Sequence, residues 1–306
     1  MLKKIIINIF VFIACLFITD CFVYILNYEY NYFHNPFQYN FGQYKKQFDN
    51  IKDFFNGEDN RLPDGLQYKN KSKHSIIVFG CSFAFGQYLQ PSQTLSAKLS
   101  KLLKMPVYNR AVPGGGLQQM YKQSLSEDFY KDVSSSDIVI YVMINDHYRR
   151  MFGLPFSIYD DAVYLQYKID SRGEFVINDN KFVNFYKSLY IYRFIMSKLV
   201  YSYIKNENNA EYLTDIVLKY FVKTRDNLEK HFNRKIKFYI ICYEDVLFQN
   251  LLTNKLKKNN FKVILSNELT KVDLNSERYK NQENMHPKES AWDLLTPLIA
   301  EKLSFD

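Results

Sequence analysis

The sequence has few of the side chains from which metal centres and nucleotide sites are built. Its 306 residues include only five histidines and four cysteines, and the histidines do not have the spacing of metal ligands. The glycine run from Gly114 to Gly116 is not followed by the Lys and the Ser or Thr of a phosphate-binding loop. We therefore expect no metal and no nucleotide or other cofactor.

Long runs of one charge are also missing. The net charge of +8 is spread along the chain, and its basic groups are short, as at Lys257 and Lys258. No recognised nucleic-acid-binding motif accompanies this charge, so we expect a mildly basic, solvated surface and no nucleic-acid partner. The hydrophobic fraction of 47% is ample for the core of one large domain.

One long apolar run is present, near the N-terminus. Residues 5–28 are apolar almost throughout and follow two lysines. A run of this length can cross a hydrocarbon core of about 30 Å. It predicts an uncleaved signal anchor over residues 1–28, with a cytoplasmic N-terminus and an extracytoplasmic (periplasmic or extracellular) remainder. We assign residues 29–64 to a membrane-proximal connector and residues 65–306 to the folded domain.

The four cysteines do not predict a disulfide framework. Cys15 and Cys21 fall within the apolar run, while Cys81 and Cys242 fall at the ends of two predicted strands. An exported domain could oxidise that second pair. Because the two strands are not neighbours in the sheet order that we predict, we expect Cys81 and Cys242 to be free thiols.

Short apolar runs that alternate with helical patterns predict the fold of the domain. The predicted strands lie within residues 76–79, 105–116, 137–146, 236–243 and 261–265. Strands that alternate with helices at this spacing form a parallel sheet through right-handed crossovers. We therefore predict a three-layer α/β/α domain with a five-stranded parallel sheet in the order 2-1-3-4-5, the flavodoxin-like arrangement, preceded by one transmembrane helix.

Residues 147–208 interrupt this alternation, and we interpret them as an insertion in the domain. Two alternating runs on either side of S-R-G-E predict a β-hairpin within the insertion. The regular pattern resumes after it, and a helix is predicted over residues 245–258. Pro297 lies inside the last helical pattern and should kink that helix or end it early.

Four positions near the ends of predicted elements could share one cleft. Ser82, Gly114 and Asn145 each follow one of the first three predicted strands, and His286 precedes the last helix. Each has an ordinary structural explanation, as a turn serine, a tight-turn glycine, a helix cap and a surface histidine. The carboxyl ends of parallel strands, however, meet at the edge where open α/β sheets bind ligands. The positions of these four residues, each beside the end of a predicted strand or helix, therefore predict that they share one site.

The same positions lie in four sequence blocks that resemble those of the SGNH/GDSL hydrolase superfamily. G-C-S-F-A-F-G is similar to the first block, usually G-D-S, and N-R-A-V-P-G to the second, in which Asn109 and Gly114 match. M-I-N-D is similar to the third block, usually G-x-N-D, and E-N-M-H-P to the last, usually D-x-x-H-P. The resemblance covers residues 65–306 apart from the insertion.

The resemblance implies a role for each matched residue. Ser82 is expected to be the nucleophile, His286 its general base, and Glu283 the carboxylate that orients the histidine. The expected oxyanion hole consists of the backbone N–H groups of Ser82 and Gly114 and the side-chain amide of Asn145.

Three blocks depart from the usual pattern. Cys81 replaces Asp, Met143 replaces Gly, and Glu283 stands where Asp is usual. Because Glu is one methylene longer than Asp, a dyad of Ser82 and His286, with a backbone carbonyl or a water orienting the histidine, stays open. Cys81 also raises the alternative of a thiol nucleophile, although adjacent residues in a turn point in different directions.

The resemblance implies a serine esterase that acts through an acyl-enzyme and removes acetyl or other short acyl groups from an extracytoplasmic carbohydrate or related ester. Its expected partners are an ester-bearing small molecule or glycan and, through the N-terminal helix, the membrane. Two alternatives stay open. One is an O-acyltransferase that modifies a cell-envelope glycan, and the other is a catalytically silent protein of this fold that acts in binding or assembly.

Overall fold

The structure is a computed structural model that describes residues 15, 18, 74–133, 136–151, 167–169, 175–177, 199–281 and 285–305. The predicted connector, and all of the predicted anchor except Cys15 and Ile18, lie outside these residues. Within the described part of the chain, no helix combines the length and the apolar character that crossing a membrane requires. The anchor and the domain boundaries therefore stay predictions.

A five-stranded parallel sheet forms the centre of the domain. The described strands are β1 (Ile76–Phe79), β2 (Val107–Asn109), β3 (Ile138–Met143), β4 (Tyr167–Ile169), β5 (Phe175–Ile177), β6 (Lys237–Cys242) and β7 (Lys262–Leu265). Five of them pair in parallel in the order β2-β1-β3-β6-β7, which confirms the predicted order 2-1-3-4-5. Strands β4 and β5 pair antiparallel, which confirms the predicted hairpin.

Helices cover both faces of this sheet, so the predicted three-layer architecture is confirmed. The described helices are α1 (Ser82–Phe85), α2 (Leu95–Leu103), α3 (Leu117–Gln123), α4 (Glu127–Asp132), α5 (Asp146–Arg150), α6 (Ala210–Phe232), α7 (Gln249–Lys258), α8 (Ser266–Leu269) and α9 (Glu289–Lys302). Helices α3, α6 and α7 contribute to the core on one face. Helices α2 and α9 pack together in the core on the other face.

The central strands are apolar throughout because both of their faces are buried. In β1, Ile77 and Phe79 belong to one core, and Ile76 and Val78 belong to the other. Successive side chains of a strand point to opposite faces of the sheet. A strand covered by helices on both sides therefore loses the apolar–polar alternation of a half-exposed strand.

The helix predicted over residues 245–258 begins later than expected, at Gln249. Phe248 has a φ of 55°, in the left-handed region, which a right-handed helix cannot accommodate. The preceding residues instead form a loop whose backbone is bound by the side chain of Asn145. The prediction was wrong at this boundary because Phe248 is left-handed and a distant side chain binds the backbone just before it.

Pro297 does not end α9, which continues to Lys302. Leu295 and Ile299 lie on either side of the proline and are both fully buried. Burial of such side chains contributes about 1.5–3 kcal/mol each, which offsets the missing backbone hydrogen bond at proline. The expectation of an early end was therefore wrong.

Candidate active site

The turn after β1 places Ser82 at the carboxyl edge of the sheet. Gly80 has a φ of 147°, and Ser82 is the first residue of α1. A Cβ atom at Gly80 would lie 2.8 Å from the Cβ of Ala84 and 3.0 Å from the carbonyl oxygen of Val142. Only glycine therefore fits where the chain turns from strand to helix. The close approach to Val142 also places this turn beside the end of β3.

Ser82 and His286 form a hydrogen-bonded pair. The Nε2 atom of His286 lies 2.8 Å from the Oγ atom of Ser82, although the two residues are 204 positions apart in the chain. Ser82 is 6% exposed, so its hydroxyl is shielded from most of the solvent. The structure thus brings the predicted nucleophile and the predicted base to a distance at which a general base can act.

Backbone hydrogen bonds hold the loop of His286 in place. The N–H of Asn281 donates to the carbonyl oxygen of His286 at 2.9 Å, and the N–H of Lys288 donates to the carbonyl oxygen of Tyr279 at 2.8 Å. These bonds flank His286 on both sides along the chain. They fix the backbone from which the imidazole reaches Ser82.

Aromatic rings pack around the imidazole of His286. The ring centroid of Phe83 lies 5.4 Å from that of His286, and the centroid of Tyr88 lies 5.1 Å from it. Phe83 also meets Tyr243 edge-to-face at 5.3 Å. Phe83 and Tyr243 are buried, whereas Tyr88 is 45% exposed. His286 therefore lies between a buried apolar wall and a ring that faces the solvent.

Glu283, which is predicted to orient His286, lies outside the described residues. The description resumes at Met285, immediately before His286. The role of Glu283 therefore stays a prediction, and so does the alternative of a Ser82–His286 dyad.

The glycine-rich loop after β2 lies against the turn of Ser82. The N–H of Val112 donates to the carbonyl oxygen of Gly80 at 3.0 Å, and the N–H of Gly115 donates to that of Val112 at 2.7 Å. Gly114 has a φ of 71°, in the region that favours glycine. Among the described residues, the backbone N–H groups of Ser82 and Gly114 have no hydrogen-bond partner. Both can therefore donate to a developing oxyanion.

The side-chain amide of Asn145 joins two loops at the same edge of the sheet. Its Oδ1 accepts a hydrogen bond from the N–H of Leu247 at 2.5 Å, and its Nδ2 donates to the carbonyl oxygen of Asp245 at 2.6 Å. An amide nitrogen carries two hydrogens, so a second N–H is left for an oxyanion. Sequence reasoning gave Asn145 an oxyanion role or that of a helix cap. Asn145 does precede α5, but its side chain makes no capping hydrogen bond, and the structure adds its contacts with the loop after β6.

The two cysteines of the sheet are free, buried thiols. Burial raises the pKa of Cys81, and the charge of Arg150 offsets only part of that rise. Burial also raises the pKa of Cys242, to about 12. Because the thiolate is the reactive form of cysteine, a thiol held protonated in the core is a poor nucleophile. The serine next to Cys81 is the better candidate.

A buried charge cluster beside Asn145 was not predicted. The carboxylate of Asp146 accepts a hydrogen bond from the Nε of Arg149 at 2.6 Å and one from the Nε of Arg150 at 2.6 Å. Both arginines are buried. Burial alone would raise the pKa of Asp146, but the charges of Arg150 and Arg149 outweigh it and hold this pKa well below its usual range. The signal in the sequence is an acid followed by arginines at helical spacing, N-D-H-Y-R-R.

His147 belongs to the same cluster and is fully buried. Its Nδ1 atom lies 2.9 Å from the hydroxyl oxygen of Tyr141. Its Nε2 atom has no hydrogen-bond partner in the described part of the chain. Burial, together with the charge of Arg150, lowers the pKa of His147 well below its usual value. His147 is therefore neutral at physiological pH.

No protein-family model matches the chain, and no curated protein matches it. Among solved structures, the chain is similar to the lipase Lip_vut3 from a goat rumen metagenome, with 9% identity and a TM-score of 0.48 over 75% of this chain and 97% of that one. It is also similar to a lipolytic G-D-S-L family protein from Veillonella parvula, with 13% identity and a TM-score of 0.45 over 76% of this chain and 100% of that one.

A third similar structure is an acetyl xylan esterase from Butyrivibrio proteoclasticus. It has 10% identity and a TM-score of 0.46 over 75% of this chain and 63% of that one. The chain is similar in fold to these lipolytic and esterase structures.

Proposed function

We propose that this chain is a serine esterase that acts through an acyl-enzyme. The observation that carries the proposal is the 2.8 Å contact between the Nε2 of His286 and the Oγ of Ser82. A serine hydroxyl is a weak nucleophile until an adjacent base removes its proton. An imidazole at hydrogen-bonding distance is such a base.

The first half of the reaction forms the acyl-enzyme. The Nε2 of His286 accepts the hydroxyl proton while the Oγ of Ser82 bonds to the carbonyl carbon of the ester. The carbonyl oxygen becomes an oxyanion, which accepts hydrogen bonds from the N–H groups of Ser82 and Gly114 and from the amide of Asn145. The tetrahedral intermediate collapses, the bond to the alcohol oxygen breaks, and His286 gives its proton to that oxygen.

The second half releases the acid. His286 accepts a proton from a water molecule, whose oxygen bonds to the acyl carbon and regenerates the oxyanion in the same hole. Collapse of this second intermediate breaks the bond to Oγ, and His286 returns the proton to Ser82. The products are a carboxylic acid and the free enzyme.

The proposed substrate is an acetyl or other short acyl ester of an extracytoplasmic carbohydrate. The predicted anchor over residues 1–28 supports this proposal, because it would hold the domain outside the cytoplasm, near envelope polymers. An O-acyltransferase would form the same acyl-enzyme and pass the acyl group to a sugar hydroxyl instead of water. The substrate test therefore measures both the acid that hydrolysis releases and the acylated sugar that transfer would form.

The experiment measures hydrolysis of 4-nitrophenyl acetate by the full-length protein in detergent. We expect Ser82→Ala and His286→Ala to abolish hydrolysis. Ser100→Ala, which removes the hydrogen bond of a buried serine to the carbonyl oxygen of Met105, should leave it unchanged. Adding oligosaccharides to the wild type then gives the ratio of acyl transfer to hydrolysis. Hydrolysis that persists in Ser82→Ala would contradict the proposal.

A further inference from the structure

The side chain of Arg150, the last residue of α5, connects this helix to the glycine loop that contains Gly114. Its Nε donates to the Oδ2 of Asp146 at 2.6 Å, and its Nη1 donates to the carbonyl oxygen of Gly115. Arg150 is 6% exposed. A buried guanidinium is costly unless its donors are paired, so these two contacts hold the guanidinium and its partners together.

Each partner of Arg150 is the chain neighbour of a proposed donor. Asp146 follows Asn145, and Gly115 follows Gly114. The charge of Arg150 also acts on the thiol of Cys81, the residue before Ser82. One guanidinium therefore contacts the chain neighbours of two of the proposed donors, Asn145 and Gly114.

The backbone of Arg150 is tied to the same region. The Nε2 of Gln118, in α3, donates to the carbonyl oxygen of Arg150. A Cβ atom at Gly116 would lie 3.6 Å from the Cβ of Arg150 and 3.7 Å from its Cδ. The glycine loop thus packs directly on the stem of the arginine as well as on its guanidinium.

We propose that Arg150 is a positioning residue that holds the N–H of Gly114 and the amide of Asn145 at the spacing that the oxyanion requires. The inference rests on the proposed ester chemistry. Oxyanion donors act through their geometry, and a loop of glycines has little conformational preference of its own. The planar guanidinium binds two partners in a fixed relative orientation. Here one partner is Asp146, which begins α5 directly after Asn145, and the other is Gly115 in the glycine loop.

Arg149 is the matched control for this role. It is buried to the same degree as Arg150, at 7% exposed, and it binds the same carboxylate, through its Nε at 2.6 Å and its Nη2 at 3.0 Å. Of these two arginines, however, only Arg150 donates to the carbonyl oxygen of Gly115 within the described part of the chain. Arg149→Met therefore removes a buried arginine from the Asp146 cluster and leaves the contact with Gly115 intact.

The first measurement is hydrogen exchange of the peptide over residues 110–117 in the full-length protein. We expect faster exchange in Arg150→Met than in the wild type and unchanged exchange in Arg149→Met. This readout does not depend on catalysis. If the wild type hydrolyses no ester, the proposed function fails, while the exchange result still decides whether Arg150 holds the loop.

The second measurement separates kcat from KM for 4-nitrophenyl acetate. We expect Arg150→Met to lower kcat about 100-fold, the effect of losing one oxyanion donor, with KM unchanged. Arg149→Met should lower kcat by a far smaller factor. In the Asn145→Ala background, Arg150→Met should lower kcat by a much smaller factor than it does in the wild type, because residues that act as a unit have non-additive effects.

Two results would overturn the inference. One is unchanged exchange over residues 110–117 in Arg150→Met, and the other is an equal loss of kcat in the Arg149 and Arg150 variants. If Arg150→Met does not fold, Arg150→Lys makes the same comparison, because it keeps the charge but not the planar fork of donors.

Discussion

The ring of Tyr88 meets the ring of His286 edge-to-face, with the two centroids 5.1 Å apart. Tyr88 has a φ of 70°, a conformation that costs a bulky residue about 1–3 kcal/mol and that clusters at functional sites. The ring is 45% exposed. It therefore lies at the surface, beside the proposed base.

Tyr88→Ala is expected to change selectivity for the alcohol of the substrate. In the proposed mechanism His286 protonates the departing alcohol oxygen, so a ring that contacts His286 would lie on the leaving-group side. Tyr88→Ala should raise KM for acetates of aromatic or cyclic alcohols more than for ethyl acetate. The measurement is KM across a series of acetates, with Tyr88→Phe as a control that keeps the ring. Equal changes in KM across the series would contradict this placement.

Asn145→Ala is expected to affect both turnover and stability. Loss of one oxyanion donor should lower kcat about 100- to 1,000-fold. Loss of the hydrogen bonds to Leu247 and Asp245 should also lower the free energy of unfolding by about 1–3 kcal/mol. Kinetics with 4-nitrophenyl acetate and denaturant titration measure the two effects separately.

Asn145→Asp is the matched variant, because it keeps an acceptor for the N–H of Leu247 and removes the amide donor. It should lower kcat at least as much as Asn145→Ala does, and it should lower the free energy of unfolding less. Normal turnover in either variant would remove Asn145 from the oxyanion hole.

His147 is expected to make the protein sensitive to mild acid. Its pKa is lowered well below the usual value by burial and by the charge of Arg150, whereas the unfolded chain has the ordinary histidine pKa of about 6.5. Below that pH the unfolded state binds more protons, so acid favours unfolding. Below that pH, each further unit of acidification lowers the free energy of unfolding by about 1.4 kcal/mol, until the pH reaches the pKa of His147 in the folded state.

Denaturant titrations between pH 7 and pH 5 measure this slope. At pH 7 the folded and unfolded states bind nearly the same number of protons at His147, so the slope begins only below the pKa of the unfolded state. His147→Gln should have a shallower slope than the wild type. His231→Gln, which removes an exposed histidine, controls for the change in composition. The prediction is wrong if His147→Gln and the wild type have parallel pH profiles.

Cys81→Ala is expected to keep ester hydrolysis. The thiol is fully buried and its pKa is raised, so it contributes packing rather than a nucleophile. Turnover of 4-nitrophenyl acetate is measured in Cys81→Ala and in Ser82→Ala. Loss of activity in the cysteine variant with retention in the serine variant would reverse the assignment of the nucleophile.

The sheet could be predicted from the sequence because its central strands are apolar on both faces. The runs at 76–79 and 137–146 contain β1 and β3, each fully buried. Parallel strands joined by helices then permit few topologies. Burial and handedness together were therefore sufficient to predict a parallel sheet with helices on both faces.

Features that depend on contacts between distant parts of the chain could not be predicted. The beginning of α7 is set partly by Asn145, which binds Leu247 from 102 positions away. The contact of Arg150 with Gly115 likewise joins a helix and a loop that share no sequence pattern. By contrast, Ser82 and His286 could be predicted as partners because each lies in a block with its own pattern.

The most direct test of the account is active-site labelling of the full-length protein with a fluorophosphonate, followed by peptide mapping. The reagent phosphonylates a serine whose proton a neighbouring base removes. We expect one adduct, on Ser82, absent in Ser82→Ala and greatly slowed in His286→Ala, with labelling retained in Cys81→Ala. An unlabelled wild type, or an adduct that persists in Ser82→Ala, would contradict the claim that His286 activates Ser82.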